Sequence, residues 1–277
     1  MTRTAIIAAL HGELKPLVRG WTHDRSNGVD LWRRPRNHGD ESEVIAACAG
    51  AGQPAATRAF AEIEKSGPIH VVISTGWAGA LREDLQSGHA YLVSAVLDTR
   101  TGERFPTALN SELDAALKGH DFSRADRRNE MSRASAPEGC ILPLSAQHSN
   151  IFAVTLATDP LLLVTTPTVA AEPEKHRLAA TYSAALVDME AAAIARLAQM
   201  RQIPFFCIKG VSDALHDQLP DFNRFIGPTG QLQLSRLILF SFLHPWYWPA
   251  LIQMGENSSK AAKSIAVSLL DILNEVK

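Results

Sequence analysis

Three carboxylates in this sequence stand where apolar runs stop. The run Phe205-Phe206-Cys207-Ile208-Lys209-Gly210-Val211-Ser212 ends at Asp213, Ala5-Ile6-Ile7-Ala8-Ala9-Leu10 leads to Glu13, and Ala184-Ala185-Leu186-Val187 passes through Asp188 and Met189 to Glu190. In an open, mostly parallel α/β sheet the carboxyl ends of the strands gather along one edge, where ligands bind. Acids far apart in the chain can therefore share one cleft. The chemistry that suits such a set is acid/base-assisted cleavage of a bond.

Each of these residues also has a plainer reading. An acid at the start of a helix is a favourable dipole partner, which suits Asp188. Ser212-Asp213 can cap a following turn, and Glu13 can be a solvated residue of a first helical turn. Met189 is ordinary core material by residue type. Glu190 is the least easily explained in this way, because it opens the apolar helix Ala191-Ala192-Ala193-Ile194-Ala195, which must pack against a sheet.

The elements that would position these acids alternate along the chain. Near-continuous apolar runs at 4–10, 43–49, 70–75, 90–96, 161–166, 184–189 and 205–211 suit strands covered on both faces. Helical patterns fall between and after them, at 54–65, 111–118, 174–181, 190–200 and 258–276, and residues 119–139 form a polar, arginine-bearing connection. The alternation predicts an α/β fold: a single domain over residues 1–277, with a central mixed, mostly parallel twisted sheet flanked by helices. An apolar extension spans 230–277. Within it, residues 237–254 carry Trp246, Tyr247 and Trp248 but also Pro245 and Pro249, so they are too short and too interrupted to span a bilayer. The expectation is a buried helix–turn–helix or a subunit interface; the alternative is a surface for a membrane or a lipid-like substrate.

At 277 residues, 46% apolar and 20% charged with a net charge of −2, the chain has the make-up of a soluble protein with a sizeable core and none of the basic excess that nucleic-acid binding requires. Three scattered cysteines form neither a zinc pattern nor a disulfide framework; Cys48 and Cys207 lie in strand-like runs as small hydrophobes. No metal site is expected. The N-terminus opens directly on a strand pattern, which points to a cytoplasmic protein.

Two glycine-rich turns follow strands. Gly50-Ala51-Gly52-Gln53-Pro54-Ala55 matches the dinucleotide fingerprint, but the next strand ends Ile73-Ser74-Thr75-Gly76 without the acid that holds a ribose, so NAD binding is rejected. Tight strand-to-helix turning is what remains. Thr75-Gly76-Trp77-Ala78-Gly79-Ala80-Leu81 is a second small-residue turn, against whose main chain a ligand can lie.

Taken together, Ile6-Ile7-Ala8-Ala9-Leu10-His11-Gly12-Glu13, Ala49-Gly50-Ala51-Gly52, Ser74-Thr75-Gly76-Trp77-Ala78-Gly79, Val187-Asp188-Met189-Glu190-Ala191 and Val211-Ser212-Asp213 resemble the purine nucleoside phosphorylase and nucleosidase superfamily. The nearest resemblance is to methylthioadenosine/S-adenosylhomocysteine nucleosidases. It implies cleavage of the N-glycosidic bond of a purine (adenine) nucleoside through an oxocarbenium-like transition state. Asp213, steadied by Ser212, would protonate the leaving purine; Glu190 would bind ribose and favour the cationic sugar; Glu13 would orient or deprotonate the attacking water. Ala8, Ala51, Gly76, Trp77, Ala78, Gly79, Val169, Val187, Met189, Lys209 and Phe222 fall at substrate-binding positions, with Met189 under the ribose, Val187 near the base and Phe222 over the 5′ substituent. Val169 departs from a base-stacking Phe, Trp77 from a small polar residue, and Lys209 from an Arg.

The resemblance also bears on the nucleophile. Superfamily phosphorylases carry an Arg just before the turn at 75–79, where this chain has Ile73-Ser74. A phosphate dianion needs charge-assisted donors, so water is favoured; phosphate stays a co-substrate if Arg33, Arg34 or Arg36 reach a neighbouring subunit's site. No cofactor is implied, and a homo-oligomer is. The C-terminal segment resembles a second branch, encoded with hopanoid lipid biosynthesis, in which adenine is removed from an adenosyl-hopanoid lipid and residues 237–254 would shelter the tail. Two other possibilities stay open: a non-catalytic nucleoside-binding protein, and a peripheral membrane protein.

Overall fold

The computed structural model describes residues 2–36, 42–108, 154–155, 160–227 and 233–275. Its centre is β1 (Thr2–Ala8), parallel on one side to β4 (Ser42–Cys48) and on the other to β5 (Val71–Ser74). Alternate residues of these apolar strands serve two cores, as a period of two requires. Ala5 and Ile7 join Ala55, Phe60 and Ile194, from helices α2 (Gln53–Glu64) and α4 (Ala191–Arg201). Ile6 and Ala8 join Leu14, from α1 (His11–Leu14), and Ile265 and Leu269, from the C-terminal helix. Coverage of both faces explains why the runs lack polar alternation.

The strand that carries Asp213, β13 (Phe205–Asp213), changes neighbours along its length. Its first half is parallel to β5. Its second half pairs with β6 (Trp77–Ala80), with a register shift between Val211 and Asp213, and on another edge with β7 (Ala90–Leu92). The sheet continues through β12 (Leu186–Asp188), β11 (Leu162–Thr165), β8 (Ala95–Asp98) and β9 (Arg104–Pro106), while β10 (Val154–Thr155) pairs with β7. Parallel pairs dominate its centre, with antiparallel pairs at β6–β12, β8–β9 and β7–β13. This is the mixed, mostly parallel, helix-flanked sheet expected from the sequence.

Several details differ from the sequence reading. The run at 90–96 is two strands, because Val93 N–H turns to Cys207 O and Ser94 N–H to Leu161 O. Residues 22–33 form an unanticipated hairpin, β2 (Thr22–Ser26) and β3 (Val29–Arg33), turned by Asn27 and Gly28 with φ of 51° and 76°. The small-residue stretch after Gly76 is itself strand β6. The helix at 174–181 is α3 (Glu172–Tyr182). The helix and the polar connection expected at 111–139 lie outside the described residues.

The C-terminal residues form α5 (Leu234–Leu243), a 3₁₀ turn at Pro245–Tyr247 and α6 (Trp248–Glu275). Helix α6 starts ten residues before the expected 258, because Pro249 lies in its first turn, where no intrahelical N–H is needed. Its later turns are core: Ala261, Ile265 and Leu269 are buried against β13. Contact is close at Gly210, where a Cβ would lie 2.8 Å from Ala261 Cβ. Within the single chain the first part of the extension is not a buried helix–turn–helix: Leu239, Phe242, Leu243, Trp246, Trp248 and Ile252 are exposed, as they would be on a subunit interface or a membrane surface.

Candidate active site

The three acids meet. Glu13, Glu190 and Asp213 all line one cleft of about 210 Å³ at the carboxyl ends of the strands. Ala51, Trp77, Ala78, Gly79, Val169, Val187, Met189, Ser212 and Phe222 line it with them. Ala8, Gly76 and Lys209 stand behind this lining.

Glu13 is delivered by β1 and the single turn of α1. One carboxylate oxygen accepts the N–H groups of Ala9 and Leu10, both at 2.8 Å, and the other accepts Trp77 N–H at 2.9 Å. The side chain is buried, and desolvation raises its pKa despite these donors and the nearby charge of Lys209. Gly76 makes this approach possible. Its φ is 120°, and a Cβ there would fall 2.8 Å from a Glu13 carboxylate oxygen.

Glu190 occupies the N-cap position of α4 and accepts Gly52 N–H at 2.6 Å, so the Gly50-Ala51-Gly52 turn supplies a main-chain donor to an acid. Burial first, and the negative charge of Asp188 second, push the Glu190 carboxyl up to about 8. At neutral pH it is mostly protonated and can donate a hydrogen bond. Asp188 plays the structural part its plain reading suggests. It accepts Ala191 N–H at 2.9 Å and Thr165 Oγ1–H at 2.7 Å, and pairs with Lys209 Nζ at 2.9 Å. Lys209 also donates to Thr75 O at 3.1 Å. Burial would lower its pKa, but the surrounding carboxylates raise it, so it is a fixed positive charge beneath the site. It neutralises Asp188 from behind and does not contribute to the cleft wall.

Asp213 has a partner that sequence reasoning missed. Lys175, from the first turns of α3, is buried; its ammonium pairs with Asp213 Oδ2 and donates to Ala214 O at 2.6 Å. Ser212 Oγ–H donates to the other Asp213 oxygen at 2.5 Å. Gly79 keeps this corner tight, since a Cβ there would meet Asp213 Oδ2 at 3.1 Å and Lys175 Cε at 3.2 Å. The available signal was helical phase: Lys175 shares a face with buried Leu178, three residues on. Thr166, Thr168, Ile226 and Met254 also line the cleft without having been anticipated.

Trp77 is a partition. Its indole N–H donates to Ser258 O at 3.0 Å, tying β6 to α6, and its ring faces both the cleft and a larger chamber of about 1310 Å³. Phe222 and Met254 border both spaces as well. The chamber is walled by Val18, Trp32, Leu237, Phe242, Trp248 and Leu251, with Lys15, Arg19 and Lys263 also on its lining. Val169 is held at the cleft rim by a reciprocal pair of bonds with the Asn223 side chain, at 2.8 and 3.1 Å.

Among the described residues of the cleft wall, Lys175 is the one basic side chain. Arg33 and Arg36 pair with Glu43 at 3.4 and 2.9 Å, and Arg34 donates to Leu273 O at 3.1 Å, so all three have partners within this chain. Glu172, His176 and His216 cluster on the surface nearby, with ligating atoms within 4.8 Å of one another. His216 is already paired there with Glu83 and Glu172. Cys48 and Cys207 are buried, and burial pushes both thiols up to about 12, which leaves them inert.

Fold and cleft together define an α/β protein with four buried acids gathered at the strand ends. The chain belongs to the phosphorylase superfamily, whose family model matches residues 3–239. Its fold is similar to those of futalosine hydrolase from Helicobacter pylori (14% identity, 99% of this chain and 98% of that one, TM-score 0.64). Similar too are the 5′-methylthioadenosine/S-adenosylhomocysteine nucleosidase of Helicobacter pylori (15%, 99% and 99%, 0.64) and the 5′-methylthioadenosine nucleosidase of Arabidopsis thaliana (15%, 100% and 96%, 0.64). No curated protein matches the chain by sequence.

Proposed function

We propose that this protein hydrolyses the N-glycosidic bond of a purine nucleoside, of methylthioadenosine or S-adenosylhomocysteine type. The observation that carries the reading is the convergence of Glu13, Glu190 and Asp213 on one cleft whose only described cation is already committed to Asp213. The functions of similar folds point the same way. In this reading Glu13, fixed by three main-chain donors, orients a water and takes its proton as the oxygen attacks the anomeric carbon. The bond to the purine breaks, and its electron pair passes onto the base. Asp213, whose oxygens accept from Ser212 and Lys175, relays to the base a proton that it receives from the Lys175 ammonium. Glu13 then gives the proton of the water up to solvent and Lys175 regains one from solvent, which restores both groups. Glu190 binds a ribose hydroxyl as a hydrogen-bond donor while it is protonated, and sets a negative charge beside the cationic ring only in its ionised form.

Water is favoured over phosphate because a dianion in the cleft would meet the four carboxyl groups of Glu13, Asp188, Glu190 and Asp213 and no arginine among the described lining residues. A nucleoside panel incubated with and without inorganic phosphate tests this. Free adenine with ribose, independent of phosphate, is the expected result. Sugar 1-phosphate formed only with phosphate would replace hydrolysis with phosphorolysis. Binding measured by calorimetry with no base released would make the protein a non-catalytic nucleoside binder.

The apolar chamber favours a second substrate reading. It shares Trp77, Phe222 and Met254 with the cleft, and its volume would take a long apolar group on the sugar. An adenosyl lipid such as an adenosyl-hopanoid would use the same acids and lay its tail there.

A further inference from the structure

We propose that the surface formed by α5, the Pro245–Tyr247 turn and the first turns of α6 docks on an anionic lipid bilayer. Leu239, Phe242, Leu243, Trp246, Trp248 and Ile252 are between 47% and 74% exposed. They account for six of the eight large hydrophobic side chains exposed among the described residues, so the exposure is concentrated in one stretch of chain. From Leu237 to Gly255 there is no Asp, Glu, Lys or Arg.

The surface is built, not frayed. Phe240 stacks on His244 with ring centroids 4.0 Å apart and lies 5.2 Å from Phe225, which pins α5 to the turn carrying Phe222. The later turns of α6 are locked into the core through Ala261 and Ile265. A rigid scaffold thus presents an uncharged apolar face to solvent.

The charges beside it select the partner. Lys15, Arg19 and Lys263 are exposed, and the chamber lining that they share with Phe242 and Trp248 contains no carboxylate. Glu256, on α6, is the nearest acid along the chain. A second copy meeting this face through a two-fold axis would bring one basic rim against another. Anionic headgroups meet the same rim with opposite charge. Trp246, Tyr247 and Trp248 are residue types that settle at headgroup level. Among the described residues no helix is long and apolar enough to cross a membrane, so the segment lies on the bilayer. Docking would turn the chamber toward the lipid, from which a tailed substrate could enter. That consequence rests on the second substrate reading; docking itself does not.

Vesicle co-sedimentation of the full chain tests the proposal without reading turnover. Wild type is expected to pellet with phosphatidylcholine vesicles containing roughly one third phosphatidylglycerol, and much less with phosphatidylcholine alone or at high salt. Combining Leu239→Ser, Leu243→Ser, Trp246→Ser and Ile252→Ser should weaken partitioning at least about tenfold. These side chains are exposed and lie off the chamber lining, so the melting temperature should hold. Brominated lipid should quench tryptophan fluorescence in wild type, and less in Trp246→Phe, which keeps the test independent of the serine variant's folding. Wild type left in the supernatant, or a folded serine variant that binds equally well, overturns the proposal. A serine variant that falls to a smaller oligomer while wild type ignores vesicles assigns the face to a subunit interface instead.

Discussion

In the cleft at the strand ends, every acid is held by donors on the sheet or at its helix junctions. Glu13 accepts three main-chain N–H groups, Glu190 accepts Gly52 N–H, and Asp213 takes Ser212 and Lys175, one on each oxygen. The chamber beside it is walled largely by the C-terminal helices, through apolar side chains whose contacts have no fixed direction. Directional bonds fix atoms to within tenths of an ångström, as proton transfer requires; apolar contacts tolerate change in length and shape. The difference teaches that this fold keeps reaction geometry on the sheet and leaves substrate reach to helices that vary at little cost to the chemistry.

The largest effect should come from the proton-donating corner. Asp213→Asn removes the group that protonates the base and should lower turnover by about 10³-fold. Lys175→Met strips the cation from Asp213 and should cost about 10²-fold, with Lys175→Arg recovering part of the loss. Base release followed by chromatography checks all three. Normal turnover in Lys175→Met would show the ion pair to be only structural. Normal turnover in Asp213→Asn would remove this corner from the reaction.

The chamber should answer to chain length instead. Leu251→Glu places a carboxylate on the chamber wall in the first turns of α6, where the helix dipole tolerates it. Across a series of 5′-alkylthio adenosines, wild-type kcat/KM should rise by up to about fourfold, the equivalent of about 0.8 kcal/mol, for each methylene that the chamber buries, and the variant should flatten that rise. Equal slopes would mean that the chamber takes no part of the substrate.

Gly76→Ala breaks the boundary between backbone and reaction geometry. The methyl group would press on the Glu13 carboxylate from a backbone at φ 120°. A stability loss of about 1–3 kcal/mol is expected, together with slower turnover as Glu13 shifts. Thermal melting and kinetics on the same sample separate the two. An unchanged melting temperature would place the strain elsewhere.

The same contrast explains what could be read from the sequence. The acids at 13, 190 and 213 were legible because buried strands leave uninterrupted apolar runs, and runs that end in acids are conspicuous. Lys175 was not, because it sits among Glu174, His176 and Arg177 in what looks like a solvated helix; only the phase shared with Leu178 distinguishes it. Strand β2 was missed because Thr22-His23-Asp24-Arg25 is an exposed edge with no apolar alternation. The stretch at 237–254 announced its hydrophobicity but not its exposure. Composition records what a segment is made of, and packing decides what covers it.

The smallest effect, a pH dependence of stability, tests whether the acids of the cleft are buried as strongly as the geometry implies. Glu190, at about 8, binds its proton more tightly in the folded state than in the unfolded chain, which releases it near 4.5, and Glu13 is shifted in the same direction. Their contribution to stability is therefore complete below 4.5 and is lost as pH rises through the folded values. His70, whose pKa burial lowers from 6.5, acts with the opposite sign in the range below that value. The acids held low by ion pairs, such as Asp98 and Glu43, lose stability only as pH falls below the ordinary carboxylate range. Between about pH 7 and 9 the Glu190 contribution should stand clear, with a melting temperature that falls by a few degrees in wild type and by less in Glu190→Gln. Parallel curves for the two proteins would mean that Glu190 ionises near its ordinary range. It would then face the nucleoside as a carboxylate from the start, and its hydrogen bond to a ribose hydroxyl would be accepted instead of donated.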